Sequence, residues 1–594
     1  MNLEEKMELK GPIRKTTQFE FPVKKGSEVS EYNIYPTHEI GMDQINYGYD
    51  SLAEILVSSR TIRIDGYVGV RFLDIKEELN TAFKKKGIEP VWINVESALK
   101  DEQKIEELIA PFLGGDDPVF GKLCDLHLID FFKKEALVAL VKKASAEPII
   151  FYGIGAALVP VDGEVVFFEL SKNEIQFRSR AGSITNLGAT QACSSQSMYK
   201  RFYFVDWPVL NNHKKELTGK IDFLVDGQRS ENITWIKGND WRESINTIVE
   251  GPLRARPWFS PGAWGGHWIK DKIKGLSDDV VNYAWSFELI VPENGIIIES
   301  NGYMLEFSFD FLMFHAGKEI LGNDFEVYKY EFPIRFDFLD TVEGGNLSIQ
   351  CHPQKEYMKR HFGENITQEE TYYILDKKDD AHVYLGFQEN ISPVEFRRAL
   401  ETSFQESKEI EITQYVQKFN SQKHGLYLIP PGTIHSSGKN NLVLEISSTP
   451  YIYTFKMYDW QRLDLDGKPR PLNIERGMAN LVFERAGTTV EEELISRPLE
   501  VEANENWILE HLPTHKEHLY DVNRYTVYTS VTINTSGKAH VLNVVEGKSI
   551  EVISGSKSVV YHYAETFLVP AQVKEYSLKN SSERPVKVIL AFVK

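Results

Sequence analysis

The sequence predicts a multidomain protein that is α/β in its N-terminal part and mainly β in the remainder. The chain has 594 residues, which is too many for one hydrophobic core. Residues 48–250 alternate short apolar runs with helical periodicity, which indicates a layered α/β domain. After residue 250 the sequence contains many short strand patterns separated by Gly, Pro and Asn turns, as in sandwich or barrel domains.

The α/β domain follows an N-terminal extension, residues 1–47, that is polar and has no clear period. Within the domain, a strand pattern at 61–66 precedes a helix pattern over 74–86, which Gly87 ends. A further strand pattern covers 91–95. This alternation predicts the layered α/β organisation of residues 48–250.

The mainly β part divides into two domains, residues 251–480 and residues 481–594. One helical insertion, at about 392–419, interrupts the strand patterns of the first of these. The last 110 residues or so contain enough strand patterns for a second, smaller barrel.

Composition excludes some classes of partner. The net charge of −19 argues against nucleic acid or an anionic membrane, because both need a basic face.

The N-terminus has no signal-peptide architecture, and the longest apolar run, of about 14 residues, is too short to span a bilayer. Three widely separated cysteines fit a reducing compartment. We therefore expect a cytoplasmic protein, and the sequence gives no indication of its oligomeric state.

Three separated segments supply side chains that bind metals. Gln350 and His352 lie two residues apart, hence on one face of a strand, and Glu370 stands at the entrance to another strand. His435 ends a Pro-x-Gly-x-x-His turn. One amide oxygen, two imidazoles and one carboxylate suit zinc with an open position, although ligand chemistry leaves other divalent metals possible.

Each of these motifs alone is more often a surface pattern or a simple turn than a metal site. Their joint occurrence in this order, inside a strand-rich domain, is typical of cupins. The metal-site interpretation is therefore favoured over the structural one.

Longer motifs resemble those of the type I phosphomannose isomerase family. The similarity covers about 330 residues in the expected order. Its segments are Trp264-Gly-Gly, Leu347-Ser-Ile-Gln-Cys-His-Pro, Glu370-Thr-Tyr-Tyr-Ile-Leu-Asp, Pro430-Pro-Gly-Thr-Ile-His, Leu444-Glu-Ile, Tyr458-Asp-Trp-Gln-Arg-Leu-Asp-Leu-Asp-Gly-Lys-Pro-Arg-Pro-Leu and the Phe-Leu-Val-Pro-Ala that ends at Ala571.

The resemblance implies a zinc cupin of barrel or jelly-roll type, followed by a smaller C-terminal cupin. It implies an aldose–ketose isomerase that interconverts mannose 6-phosphate and fructose 6-phosphate, or a related sugar, through an enediol. Matching by position gives one Zn²⁺ per chain, with the ligands Gln350, His352, Glu370 and His435. Glu445 is a candidate for handling the proton, or equally a structural ion-pair partner.

Two positions depart from the family's pattern, and both concern positive charge. Lys456, a second candidate catalytic residue, stands where the family usually has Arg, and it lacks the planar bidentate fork of Arg. Gln368 stands where the family usually has Lys and supplies no charge. If a cation among Lys355, Lys359 and Arg360 fills the phosphate site, the isomerase hypothesis holds. The alternative is a zinc-cupin protein that binds a sugar or sugar phosphate without turnover.

The N-terminal domain faintly resembles a uridine-kinase-like P-loop domain. Its turn after the strand at 61–66 lacks the Gly-Lys-Ser/Thr of a working P-loop, although Arg71 could supply charge. A second possible phosphate turn is Gly153-Ile-Gly155. We expect a degenerate kinase-like module for binding or scaffolding. Nucleotide-dependent phosphoryl transfer is a third hypothesis, which absence of nucleotide binding would remove.

Overall fold

The computed structural model describes residues 11–26, 31–142 and 148–594. These residues form two compact units. The first unit contains residues 11–26, 35–142, 148–248 and 292–316, and the second contains residues 31–34, 249–291 and 317–594.

The strands, numbered along the chain, are β1 Thr37–Glu39, β2 Ile45–Tyr47, β3 Thr61–Gly66, β4 Val91–Asn94, β5 Ile149–Tyr152, β6 Glu164–Glu169, β7 Phe223–Asp226, β8 Thr234–Lys237, β9 Trp258–Ser260, β10 Trp285–Leu289, β11 Gly295–Ser300, β12 Tyr303–Ser308, β13 Ile334–Asp340, β14 Ile349–Cys351, β15 Glu370–Lys377, β16 His382–Phe387, β17 Val416–Asn420, β18 Leu426–Ile429, β19 His435–Ser437, β20 Asn441–Ser448, β21 Phe455–Tyr458, β22 Leu499–Ala503, β23 Trp507–Leu512, β24 Tyr520–Val527, β25 Ser530–Asn534, β26 His540–Glu546, β27 Ser549–Ser554, β28 Lys557–His562, β29 Thr566–Val569, β30 Glu575–Lys579 and β31 Val586–Val593.

The α-helices are α1 Tyr49–Leu56, α2 Phe72–Lys85, α3 Glu102–Ile109, α4 Lys134–Lys142, α5 Lys172–Ala181, α6 Ser195–Arg201, α7 Trp207–Leu217, α8 Gly238–Ile248, α9 Trp268–Lys272, α10 Phe309–Leu321, α11 Phe325–Tyr328, α12 Lys355–Phe362, α13 Pro393–Glu406, α14 Ile474–Met478 and α15 Thr488–Glu493. Helix α10 has non-helical backbone angles at Ala316. The division between the two units falls at the same residue.

In the part of the first unit that the structure describes, a seven-stranded sheet has the order β2-β8-β7-β6-β3-β5-β4. Strands β4, β5, β3, β6 and β7 are parallel, whereas β8 pairs antiparallel with β7, and β2 pairs antiparallel with β8 at the edge. Both faces of a parallel sheet are covered by helices, so its strands are apolar on both sides. Strand β7 is accordingly buried at every residue. The mixed α/β class expected for this region is confirmed.

A small sheet of order β1-β11-β12 also belongs to the first unit. Its hairpin, β11 and β12, lies in sequence after residue 250 but joins the unit formed mainly by residues before it. The first unit is therefore discontinuous in sequence. The domain limits at residues 47, 250 and 480 stay a prediction.

In the second unit, one sheet has the order β18-β15-β20-β13-β10-β9 and another has the order β17-β16-β19-β14-β21. Side chains from both sheets meet in one hydrophobic core, which includes Ile374 of β15, Val443 of β20 and Val383 and Leu385 of β16. The two sheets therefore form a sandwich. One end of its interior is polar, and the candidate site lies there.

A second sandwich consists of a sheet of order β22-β23-β24-β31-β26-β29 and a sheet of order β25-β30-β27-β28. Its core takes alternate residues of facing strands, such as Val544 of β26, Val552 of β27 and Val588 of β31. The strand-rich character expected for residues 251–594 is confirmed.

The helical insertion expected at about 392–419 is shorter in the structure. Helix α13 ends at Glu406, and Ser407 adopts a left-handed conformation with φ 52°. Strand β17 follows and pairs with β16. The pairing satisfies the backbone groups of a segment whose apolar residues had suggested a continuing helix.

Among the residues that the structure describes, none of the helices has the length and apolar character needed to cross a bilayer.

Candidate metal centre

Three buried side chains from separate strands converge at the polar end of the first sandwich. His352 follows β14, Glu370 begins β15 and His435 begins β19. The His352 Nε2 atom lies 2.9 Å from Glu370 Oε1, and the His435 Nε2 atom lies 3.3 Å from Glu370 Oε2. One ligand atom from each residue lies within 4.8 Å of those of the other two. This spacing allows one ion to contact all three side chains.

The turn before His435 is fixed by a glycine that no other residue could replace without strain. Gly432 has φ +80°, and a Cβ atom there would lie 2.4 Å from the backbone oxygen of Asn480. Its N–H donates to the backbone oxygen of His352 at 2.9 Å, which ties together the segments that carry the two histidines. The Arg485 guanidinium donates to the oxygens of Pro430 and Pro431 in the same turn.

Backbone carbonyls fix the tautomers of both histidines. The Nδ1 atom of His352 lies 3.0 Å from the oxygen of Tyr453, and the Nδ1 atom of His435 lies 2.9 Å from the oxygen of Thr433. Because a carbonyl oxygen only accepts, each Nδ1 carries the proton. In the neutral rings the Nε2 lone pairs therefore face Glu370, which is the usual arrangement of metal-binding histidines.

Gln350 lies beside the three converging residues. It is the register partner of His435 between β14 and β19, so both side chains emerge on one face of the sheet. Its Nε2 atom lies 3.3 Å from His435 Nε2, and its Oε1 accepts a hydrogen bond from the Ser348 hydroxyl at 2.9 Å. The structure therefore brings together the four side chains that the sequence predicts as ligands.

The charge of Glu370 is stabilised by its neighbours. Burial by itself raises the pKa of this carboxyl, but protonated imidazoles at His352 and His435 would hold it well below its usual range. Gln368 Nε2 donates to Glu370 Oε1 at 2.6 Å, and an Arg335 amino group lies 3.6 Å from the same oxygen. Burial lowers the pKa of His435, so its ring tends to be neutral, as ligation requires.

Buried polar atoms without hydrogen-bond partners identify this group as suited to a metal. Among the described residues, His352 Nε2 and Glu370 Oε2 have no such partner although both are buried. An unsatisfied buried polar atom is costly and requires an explanation such as an ion. Imidazole nitrogen and carboxylate oxygen together are a common donor set for zinc. The side chains present therefore fit a divalent transition metal.

Glu445 is held in an ion pair. It contacts the guanidinium of Arg335, which also lies 3.2 Å from Asp337 Oδ1. Burial raises the pKa of Asp337 to about 7, against the lowering effect of Arg335. Strands β13, β20 and β15 place Asp337, Glu445 and Tyr372 in one row on the inner face of the sheet.

Sequence reasoning missed Arg335, Asp337 and Tyr372. The available signal was Ile334-Arg-Phe-Asp-Phe, in which two charged residues alternate with apolar residues in an otherwise buried strand. Alternation of this kind places both charges on one face. It does not indicate that this face is the interior, because both faces of β13 are buried.

Lys456 lies on β21 as the register partner of Gln350, which places both side chains on one face. It is half-buried. Burial and, to a smaller extent, the charge of Arg470 lower the pKa of Lys456 to about 8. An amine with this pKa exchanges protons near neutral pH.

The three cations considered for a phosphate site differ in their surroundings. Lys355 lies 3.0 Å from Glu369, whose other carboxylate oxygen accepts a hydrogen bond from the backbone of Leu519. Lys359 and Arg360 are exposed on α12. Lys355 is therefore paired with a buried carboxylate, and this pairing would have to be broken to bind phosphate.

The resemblance of the first unit to a P-loop domain is not borne out, and its turn after β3 is filled by the chain itself. The carboxylate of Asp65 accepts hydrogen bonds from the backbone N–H groups of Gly66, Gly155 and Ala157 at 2.8–2.9 Å. His213 Nε2 lies 2.9 Å from the same carboxylate. The Gly155 amide, which could bind a phosphate in the turn Gly153-Ile-Gly155, therefore already donates to a carboxylate of the chain.

Arg71, considered as a substitute for the P-loop lysine, pairs with Asp74 of α2 at 3.1 Å. Gly69 lies among Leu170, Ile175 and Ile184, and its carbonyl accepts a hydrogen bond from Arg178. Apolar contacts and an inward-facing carbonyl do not provide a phosphate site.

Comparisons with known proteins give one family match and several similar proteins. Residues 48–250 match a family described as a domain of unknown function, DUF8485. The mannose-6-phosphate isomerase ManA of Bacillus subtilis is 25% identical over 345 residues, covering 56% of this chain and 97% of that protein. The probable mannose-6-phosphate isomerase GmuF of the same organism is 28% identical over 229 residues, covering 38% of this chain and 67% of that protein.

Solved structures with similar folds include the mannose 6-phosphate isomerase of Bacillus subtilis, at 19% identity and a TM-score of 0.48 over 57% of this chain and 99% of that one. A putative mannosephosphate isomerase of Archaeoglobus fulgidus has a TM-score of 0.43 at 20% identity, over 58% of this chain and 98% of that one. Similarity at this level carries no conclusion about function.

Proposed function

Because part of this chain belongs to the mannose-6-phosphate isomerase family, we propose that it catalyses an aldose–ketose isomerisation at the centre formed by His352, Glu370 and His435. The substrate in this proposal is mannose 6-phosphate, with fructose 6-phosphate as the product, or a related sugar. Such a reaction moves a proton between adjacent carbons through an enediol. The protein must orient the sugar, balance negative charge on its oxygen and transfer the proton.

The observation that carries the proposal is the orientation of the two imidazoles. Both rings donate through Nδ1 to backbone carbonyls and turn Nε2 towards one buried, charged carboxylate. We infer that Gln350, His352, Glu370 and His435 bind one Zn²⁺ per chain. A bound Zn²⁺ would supply positive charge close to the sugar oxygens.

Proton transfer falls to one of two residues in this proposal. The Glu445 carboxylate is engaged by Arg335, which favours its role as an ion-pair partner. Lys456 has no hydrogen bond or ion pair from its side chain among the described residues, and it shares a sheet face with Gln350. We therefore favour Lys456 as the proton-handling group, and Glu445 as its alternative.

We further propose that residues 251–480 form the cupin that carries the centre and residues 481–594 a second cupin. The two sandwiches and the polar interior of the first support this division. In this proposal the protein is cytoplasmic and residues 48–250 act as a scaffold or binding module.

The test is isomerase turnover of purified protein on mannose 6-phosphate, with and without added Zn²⁺, beside a His352→Ala variant. We expect turnover that depends on zinc and is lost in the variant, together with loss of bound zinc. Metal-replete protein without turnover on either mannose 6-phosphate or mannose would contradict the isomerase proposal.

A binding or regulatory protein is the second candidate, and the charges around Glu370 favour it. Gln368 brings no charge, and the charge of Arg335 is offset by Glu445 and Asp337. A phosphate dianion needs local cations. Zinc-dependent binding of a sugar measured by calorimetry, without turnover, would support this candidate.

A further inference from the structure

Two residues that are not candidate ligands, Gln368 and Arg335, approach only one of the two carboxylate oxygens of Glu370. Oε1 accepts the 2.6 Å hydrogen bond from Gln368 and lies 3.6 Å from an amino group of Arg335. Oε2 faces His435 and has no hydrogen-bond partner among the described residues. The two oxygens are therefore distinguished by their surroundings, and Oε2 is the one left available to an ion.

Arg335 is itself held in place by two further carboxylates. One amino group contacts Glu445, and Nε lies 3.2 Å from Asp337. All of these groups are buried. A planar guanidinium that lies among several carboxylates is restricted in orientation by its charge, and its fork is a geometry that a lysine ammonium in its place would lack.

Strand register explains why the contacts converge. Arg335 on β13, Ser447 on β20 and Glu370 on β15 are register partners, so they stand in one row across the sheet. Asp337 and Glu445 occupy the adjacent row on the same face. The guanidinium therefore lies between the carboxylate of the metal centre and two carboxylates that are not ligands.

We propose that Arg335 is a positioning residue for the metal centre, and that it orients the Glu370 carboxylate together with Gln368 while Glu445 and Asp337 anchor the guanidinium. The inference rests on the metal centre of the proposed function. Groups that orient a ligand in this way contribute substantially to metal affinity.

If Arg335 orients Glu370, its removal should change metal affinity in the opposite direction to that expected from the loss of its charge alone. A cation close to a divalent metal repels it, so loss of that charge alone should tighten metal binding. Loss of an orienting contact should weaken it. Metal affinity therefore separates the two roles without any reference to turnover.

The experiment measures Zn²⁺ affinity by competition with a chromophoric chelator in the full chain, and records the visible absorption of the Co²⁺-loaded protein. The variants are Arg335→Gln and Arg335→Lys. We expect Arg335→Gln to weaken Zn²⁺ binding by about 10–100-fold and to change the Co²⁺ spectrum. Arg335→Lys keeps the positive charge but loses the planar guanidinium, so its Zn²⁺ affinity should lie between those of Arg335→Gln and the wild type.

Arg524→Gln is the matched control, because Arg524 forms a two-point ion pair with Glu510 in the other sandwich. It should leave Zn²⁺ affinity and the Co²⁺ spectrum unchanged. If Arg335→Gln does not fold, Arg335→Lys and Glu445→Gln decide the matter, since the first replaces the guanidinium by an ammonium and the second weakens the ion pair that holds the guanidinium. Both should weaken Zn²⁺ binding.

Folded variants that bind Zn²⁺ as tightly as the wild type, or more tightly, with an unchanged Co²⁺ spectrum, would overturn the inference alone. A wild-type protein that binds neither Zn²⁺ nor Co²⁺ would overturn it together with the metal centre of the proposed function. The two failures are thus distinguishable.

Discussion

Two backbone carbonyls fix the tautomers of His352 and His435, and these tautomers account for the metal-binding capacity of the group. Without the contacts to Tyr453 and Thr433, either ring nitrogen could carry the proton. With them, both Nε2 atoms face Glu370. Residue identity in the sequence indicated the candidate ligands, but only the three-dimensional contacts of Nδ1 indicate which nitrogen is available.

Gln368 provides a test of substrate charge at the scale of one residue. Its amide lies 2.6 Å from Glu370 Oε1 and brings no charge to the centre. Gln368→Lys adds a cation in a buried environment, where charges interact strongly. We expect KM for mannose 6-phosphate to fall relative to that for mannose by about tenfold or more, which corresponds to about 1.4 kcal/mol.

The control is Gln422→Lys, which adds the same charge at an exposed position of the same unit. It should leave the ratio of the two KM values unchanged. If the ratio of the two KM values is unchanged in folded Gln368→Lys, the phosphate group of the substrate does not approach residue 368.

Among the elements, the turn over 430–435 depends most clearly on one backbone conformation. Gly432→Ala places a Cβ atom 2.4 Å from the Asn480 oxygen at φ +80°. We expect a loss of about 2–4 kcal/mol in the free energy of unfolding, together with weaker Zn²⁺ binding, because His435 follows the turn. Chemical denaturation and chelator competition measure the two effects.

Gly467→Ala is the corresponding control. Gly467 has φ +77°, but a Cβ atom there would have no other atom within 4 Å. It should cost only about 1 kcal/mol, the cost of the left-handed conformation itself, and leave metal affinity intact. Equal losses in the two variants would mean that the contact with Asn480 contributes nothing.

At the same scale, the sequence predicted the strand-rich character of residues 251–594 but not every strand. Strand β17 was not expected, because the chain after α13 keeps an apolar spacing that also suits a helix. Pairing with β16 decides its conformation, and that partner is distant in sequence.

For the whole molecule, acid should lower stability in part through His540 in the second sandwich. Burial lowers the pKa of His540 to about 4, whereas an unfolded chain has a value near 6.5. Between these pH values the unfolded state binds more protons, so stability falls as pH falls from about 6.5 to about 4. The contribution is at most about 3 kcal/mol.

His540→Gln removes this titration. The free energy of unfolding, measured in urea from pH 7 to pH 4, should fall less steeply in the variant than in the wild type. Parallel curves for the two proteins would contradict the assignment. The two proteins should be compared by the unfolding transition of the second unit, because a chain of two units need not unfold in one step.

The sequence by itself determined the strand-rich class of residues 251–594, the α/β class before them and the four candidate ligands, because periodicity and motif spacing are local properties. The tertiary structure decided the discontinuous first unit, the tautomers at the candidate metal centre and the contacts of Arg335 with Glu370, Asp337 and Glu445. These features depend on strand register and on contacts between residues up to about 260 positions apart, as between Thr37 and Ile297. The sequence pattern of a single strand does not specify which strands will pair with it.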